Sequence, residues 1–132
     1  MLDNLKEYCG FETFHPKCLG NEVIVMDAAV YGRRKLGRCV KASDFEELGE
    51  QSRFIGCYTD VVSLVDARCS GRKECEIRIP DSVLQQATAC PLPSLLTYME
   101  ASYSCVEGEN FIQHYYRIIN FDDESERLSK DL

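Results

Sequence analysis

Eight cysteines in 132 residues, spread from Cys9 to Cys105 with no two standing as C-x-x-C, constrain this chain more than any other feature. An even set at such density in a small chain reads as a disulfide framework, which forms in oxidising compartments. Structural zinc is the competing use, but it needs closely paired thiolates to build its tetrahedron. The nearest pair, Cys69 and Cys75, has five residues between its members, and only His15 and His114 stand ready to supplement it. The expectation is therefore disulfides, with no metal and no cofactor. Met1–Glu7 carries no apolar core of a signal peptide, so the chain reads as a mature or excised extracellular segment, secreted or cut from a cell-surface ectodomain. Spacing alone leaves the pairing of the eight open.

The rest of the composition narrows the class. At 45% apolar and 28% charged residues the chain can build a core. Its length suits one domain. A net charge of −7 argues against wrapping a nucleic-acid backbone, which needs a basic footprint. No apolar run approaches the ~20 residues that span a bilayer. Charge is uneven along the chain: residues 107–132 hold seven acids against three bases, leaving the body at −3. We read 1–106 as the folded domain. Residues 107–132 read as an appendage whose first half, from Phe111 to Ile119, is apolar enough to dock and whose end is a solvated acidic tail.

The body mixes strand and helix patterns. Residues 22–31 form an apolar, β-branched run suited to a strand buried on both faces. Residues 74–79 alternate, placing Cys75, Ile77 and Ile79 inward, and Pro80 stops them. Over 96–106 alternation turns Met99, Ala101, Tyr103 and Cys105 to one face and Glu100, Ser102 and Ser104 to the other. Lys6–Phe11 is a further strand candidate. Thr59 or Asp60 can cap a helix carrying Val61, Leu64, Val65 and Cys69, and Gly71 ends it. A second short helix starts after Pro80-Asp81 and covers Val83 to Gln86. The predicted class is α+β: a small antiparallel sheet protein with one or two helices.

The stretch Val25-Met26-Asp27-Ala28-Ala29-Val30-Tyr31-Gly32-Arg33 resembles the "I-x-I-x-x-A-x-Y-G-R" signature of SUEL-type, or rhamnose/galactose-binding, lectin domains. Cys39 follows it and Cys57 precedes the helix. Cys69-Ser70-Gly71-Arg72-Lys73-Glu74-Cys75 is similar to the family's "C-x-G-x-x-x-C", and Cys90-Pro91 to its "D-P-C-P". Tyr98 to Cys105 resembles its closing "Y-L-x-V-x-Y-x-C". The resemblance covers about residues 7–106. It implies a compact antiparallel β-sandwich with helices at its side, and the pairing Cys9–Cys39, Cys18–Cys105, Cys57–Cys90 and Cys69–Cys75.

The family's sugar contacts do not carry over intact. A carboxylate just after the first cysteine is here Gly10. A second, two residues before the seventh, is Thr88, and a lysine ahead of the closing strand is Thr97. Charged partners of that kind form the stronger hydrogen bonds to sugar hydroxyls. Tyr31 remains. Glu12 is a candidate replacement carboxylate, sharing a strand face with Gly10 but displaced by ~6.5 Å. The chain has no Trp to stack on a sugar.

Three functions compete. The first is a protein-binding module of a guidance or adhesion receptor with a degenerate sugar site, as in the related domains of latrophilins and Eva axon-guidance co-receptors. Its partner would be an extracellular protein ligand or co-receptor, with Tyr8, Phe14 and the appendage as aromatic contacts. The alternative is a carbohydrate-binding lectin for galactose or rhamnose. A third is anion binding: Arg33, Arg34, Lys35, Arg38 and Lys41 crowd into nine residues, a pattern suited to heparan sulfate. The plainer reading of that loop is solvated charge balancing Glu46, Glu47 and Glu50. No motif surrounds either histidine, and no phosphate loop or acidic metal loop is present, so an enzyme is not expected.

Overall fold

The computed structural model describes residues 5–41, 55–88, 90 and 97–111. Strand β1 (Lys6–Tyr8) leads through a tight turn to β2 (Thr13–Phe14) and then to the long β3 (Glu22–Arg33). After β4 (Cys57–Asp60) come helix α1 (Val62–Cys69), β5 (Ile77–Arg78), helix α2 (Ser82–Ala87) and β6 (Tyr98–Glu107). One antiparallel sheet runs β1-β6-β3-β4, and a second pairs β2 with β5. A compact, disulfide-stapled α+β domain results.

β-Branched residues make β3 long and central, and it runs two residues beyond the predicted 22–31. Its inner face carries Ile24, Met26, Ala29 and Tyr31. They pack with Met99 and Ala101 of β6, Val65 and Cys69 of α1, and Phe14, Ile77, Ile79 and Leu84 from the small sheet and α2. Gly32 admits no side chain. A Cβ there would sit 2.4 Å from the Cys57 carbonyl oxygen, and its φ of +145° is one that residues with a Cβ rarely adopt. The glycine of the Tyr-Gly-Arg triplet is thus what lets β4 approach β3.

The alternation of 75–79 holds in burial, although only Ile77–Arg78 pair as a strand. Neither Thr59 nor Asp60 caps α1, whose N-cap is Val61 without a side-chain bond, although Asp60 accepts the Val62 N–H at 2.9 Å; Asp81 does cap α2, accepting the Leu84 N–H at 3.2 Å. The Lys6–Phe11 strand ends early, at Tyr8, because the chain turns at once: Glu12 N–H donates to the Cys9 carbonyl. Phe14 belongs to the core. It is fully buried and meets Tyr8 and Tyr103 edge to face, with centroids 5.0 and 6.0 Å away, so it offers no surface contact.

Glu100 departs from the predicted outward face. Its side chain is 1% exposed, because the outer face of the sheet at this end is covered by the loop after β3. Tyr98 and Val40 form a second small cluster there with Cys39 and Ile55, and the Tyr98 hydroxyl donates to the Lys35 carbonyl at 2.8 Å. The four bridges join Cys9–Cys39, Cys18–Cys105, Cys57–Cys90 and Cys69–Cys75, the pairing the resemblance implies. No thiolate remains for zinc.

Candidate functional site

Three of the family positions gather at one end of the sheet around a residue the sequence reading missed. Gln85, on α2, accepts a hydrogen bond from the Tyr31 hydroxyl at 3.2 Å and from the Thr97 hydroxyl at 2.9 Å on the same side-chain oxygen. The Thr88 hydroxyl donates to the Leu84 carbonyl at 2.9 Å, the residue before Gln85. Tyr31, Thr88 and Thr97 are all buried. Burial pushes the Tyr31 phenol up, while hydrogen bonds with Thr97 and the Asp81 backbone pull it partly back. At Thr88 and Thr97, where the resemblance implies charged sugar contacts, this chain has neutral hydroxyls satisfied by their neighbours.

Cutting the hub tests its weight. Gln85→Leu removes the acceptor that two buried hydroxyls share, and unpaired buried polar groups cost about 1–3 kcal/mol. Chemical denaturation should show a loss in that range, larger than for Thr97→Val, which removes only one donor.

Gly10 and Glu12 lie in the turn after β1. That turn is tied to the segment leading into α2, since Phe11 N–H donates to the Ile79 carbonyl at 2.7 Å and Ile79 N–H to that of Glu12 at 2.9 Å. Glu12 stands in the turn, not in a strand, so the shared strand face expected of it with Gly10 does not form. One of its oxygens accepts the Cys9 N–H at 2.7 Å, and the carboxylate pairs with Arg38 at 2.8 Å. The Arg38 side-chain hydrogen bond and then the Cys9 backbone bond hold the Glu12 carboxyl below its ordinary value of 4.5. A group depressed on folding adds stability above its unfolded pKa and loses it as pH falls through the folded value. An NMR titration should therefore place the Glu12 midpoint below 4.5. Arg38→Ala should move it back up, and Glu12→Gln should flatten the acid limb of stability. Because the pair is exposed, the effect on stability is small.

The basic run does not form one open patch. Arg33 is 1% exposed at the end of β3. Arg34 grips Glu100 with two bonds, Nε to Oε1 at 2.9 Å and Nη2 to Oε2 at 2.7 Å, which hold its guanidinium above the usual range. Arg38 is spent on Glu12 and on the Glu7 backbone. Lys35 and Lys41 lie on the surface. Among the described residues, Glu7, Glu12 and Glu100 are acids that answer this loop. Glu46, Glu47 and Glu50, and the loop 91–96 before Thr97, lie outside the described residues.

Elsewhere, a groove of about 360 Å3 lined by Asp27, Ala28, Val30, Asp60, Val62 and Ser102 includes none of the family positions. His15 is exposed and pairs with Glu74 at 3.2 Å and Glu76 at 3.4 Å.

An eight-cysteine sheet domain with Tyr31, helix α2 and the start of β6 meeting at one end has the form of a small recognition module. Residues 16–105 match the D-galactoside/L-rhamnose binding SUEL lectin domain, and the chain belongs to that family. Comparison with curated proteins returns no match. The family is one of binding modules, not of enzymes, and points to carbohydrate as the class of ligand. Among the described residues no helix is long and apolar enough to cross a membrane.

Proposed function

We propose that this domain is an extracellular carbohydrate-recognition module for a galactoside or rhamnoside, without enzymatic activity. The observation that carries this is the family match over residues 16–105. Four disulfides support an oxidising compartment. Each lost charged contact forfeits about 1.5–3 kcal/mol, so affinity for a monosaccharide is expected to be millimolar or weaker. A glycan array followed by calorimetry with L-rhamnose and methyl β-D-galactoside tests the reading; no binding to any glycan would refute it.

One observation favours a second reading. The hydroxyls of Tyr31, Thr88 and Thr97 are buried and already engaged, which suits a degenerate sugar site in a protein-binding module of a guidance or adhesion receptor. Its partner would then be an extracellular protein or co-receptor. Heparan sulfate draws less support, since Arg33 is buried and Arg34 is bound to Glu100; elution from heparin below physiological salt would dispose of it. For domain limits we keep 1–106 as the folded unit and 107–132 as an appendage, with β6 running one residue past that boundary to Glu107. The appendage's described start docks: the Phe111 ring lies 3.0 Å from where a Gly71 Cβ would stand.

A further inference from the structure

Phe11 is the most unusual residue in the described part of the molecule. It is 84% exposed, and its φ of +70° makes it the sole non-glycine residue in the left-handed region among those described. It occupies the third position of the Cys9–Glu12 turn, the place where glycine relieves the clash of a Cβ with the backbone. A glycine is present one residue earlier, at Gly10, where φ is not positive. The order Gly-Phe therefore puts the ring where the backbone resists it. Two hydrogen bonds to Ile79 and the Glu12 carboxylate on Cys9 N–H hold the turn in that shape. Strain kept at an exposed position, where it gains no packing, points from geometry to function.

The surroundings of the ring suggest which ligand it serves. Glu12, the next residue in the chain, pairs with Arg38, and although each engages the other their side chains are 43% and 53% exposed, so carboxylate and guanidinium also meet solvent. An aromatic face next to a charged donor–acceptor pair matches the two-sided chemistry of a sugar, with an apolar C–H face and a rim of hydroxyls. The turn also directly follows the first cysteine, where Gly10 stands at the family's lost carboxylate position.

We propose that Phe11 is a stacking platform for a saccharide ring, with Glu12 and Arg38 as its hydroxyl contacts, so that recognition has moved from the buried Gln85 cluster out to the turn. The inference rests on the carbohydrate-binding reading and names the residues that carry it. The test uses the full 132-residue chain, titrated with methyl β-D-galactoside and L-rhamnose as wild type and as Phe11→Ala, Phe11→Gly and Phe11→Trp. Loss of stacking in the Ala and Gly variants is expected to weaken binding about five-fold or more, with Trp retaining it. Phe11→Gly should at the same time raise the melting midpoint by about 3 °C, because glycine relieves the turn. Unchanged affinity in the Ala and Gly variants of a chain that binds sugar overturns the platform and leaves carbohydrate recognition standing. A wild-type chain that binds neither sugar overturns both. A lower melting midpoint for Phe11→Gly, with affinity unchanged, assigns Phe11 to structure alone.

Discussion

Replacing Cys18 and Cys105 together by serine is expected to leave the domain largely unfolded at about 37 °C. Their bridge spans 87 residues and fastens the segment before β3 to the far end of β6. A loop of that length is worth about 4.5 kcal/mol when its closure entropy is removed from the unfolded chain. Domains of this size are stable by only about 5–15 kcal/mol. Cys69–Cys75 closes a loop of only six residues, and by the same relation it is worth about half as much. The order of loss should follow loop length, with Cys9–Cys39 and Cys57–Cys90 between these extremes. Thermal unfolding of the paired variants measures that order. Full reduction should abolish the cooperative transition; a reduced chain that still melts cooperatively would show that the apolar core suffices by itself.

The second large effect is expected at Arg34. Its partner Glu100 is 1% exposed and lies directly opposite Glu7 in the pairing of β1 with β6, a juxtaposition of like charges that costs stability when unrelieved. Arg34 relieves it through two parallel bonds. Arg34→Ala would strand the buried carboxylate, and breaking a buried pair from one side costs about 3–5 kcal/mol. The double variant Arg34→Met, Glu100→Leu removes both charges and keeps the volume, so it should recover most of that loss. Urea denaturation of the two variants decides it. A double variant as unstable as the single one would mean that Arg34 acts through packing and not through charge.

Tyr98 adds a check at the alkaline end. Burial, opposed in part by the hydrogen bond its oxygen accepts from the Lys35 N–H, raises its phenol to about 12 from an ordinary 10.0. A group raised on folding contributes stability that is complete below its unfolded pKa and lost as pH climbs through the folded value. Stability should therefore fall between about pH 10 and 12, and Tyr98→Phe should remove that part of the slope.

Much of this fold is legible in sequence because its signals are local. The apolar run of β3, the alternation of 75–79 and the aspartate capping α2 each state their structure within a few residues. What stays hidden depends on tertiary cover. Alternation assigns Glu100 to solvent, and nothing near it in sequence announces the loop that buries it with Arg34. Five cations in nine residues look like one surface, yet Arg33 is buried, Arg34 binds Glu100 and Arg38 binds Glu12. Gln85 sits in a short helix with no motif around it, and its role exists only because Tyr31 and Thr97 arrive from distant strands. Lys6–Phe11 reads as a strand, whereas the chain turns after Tyr8 and places a demanding φ on Phe11.

Amide spectra of the labelled domain, recorded while L-rhamnose and methyl β-D-galactoside are added to about 20 mM, test carbohydrate recognition most directly, since that range lies well above a millimolar Kd. Saturable shifts confined to the Cys9–Glu12 turn and the segment around Arg38 are the expected result. A spectrum that neither sugar perturbs anywhere would contradict it.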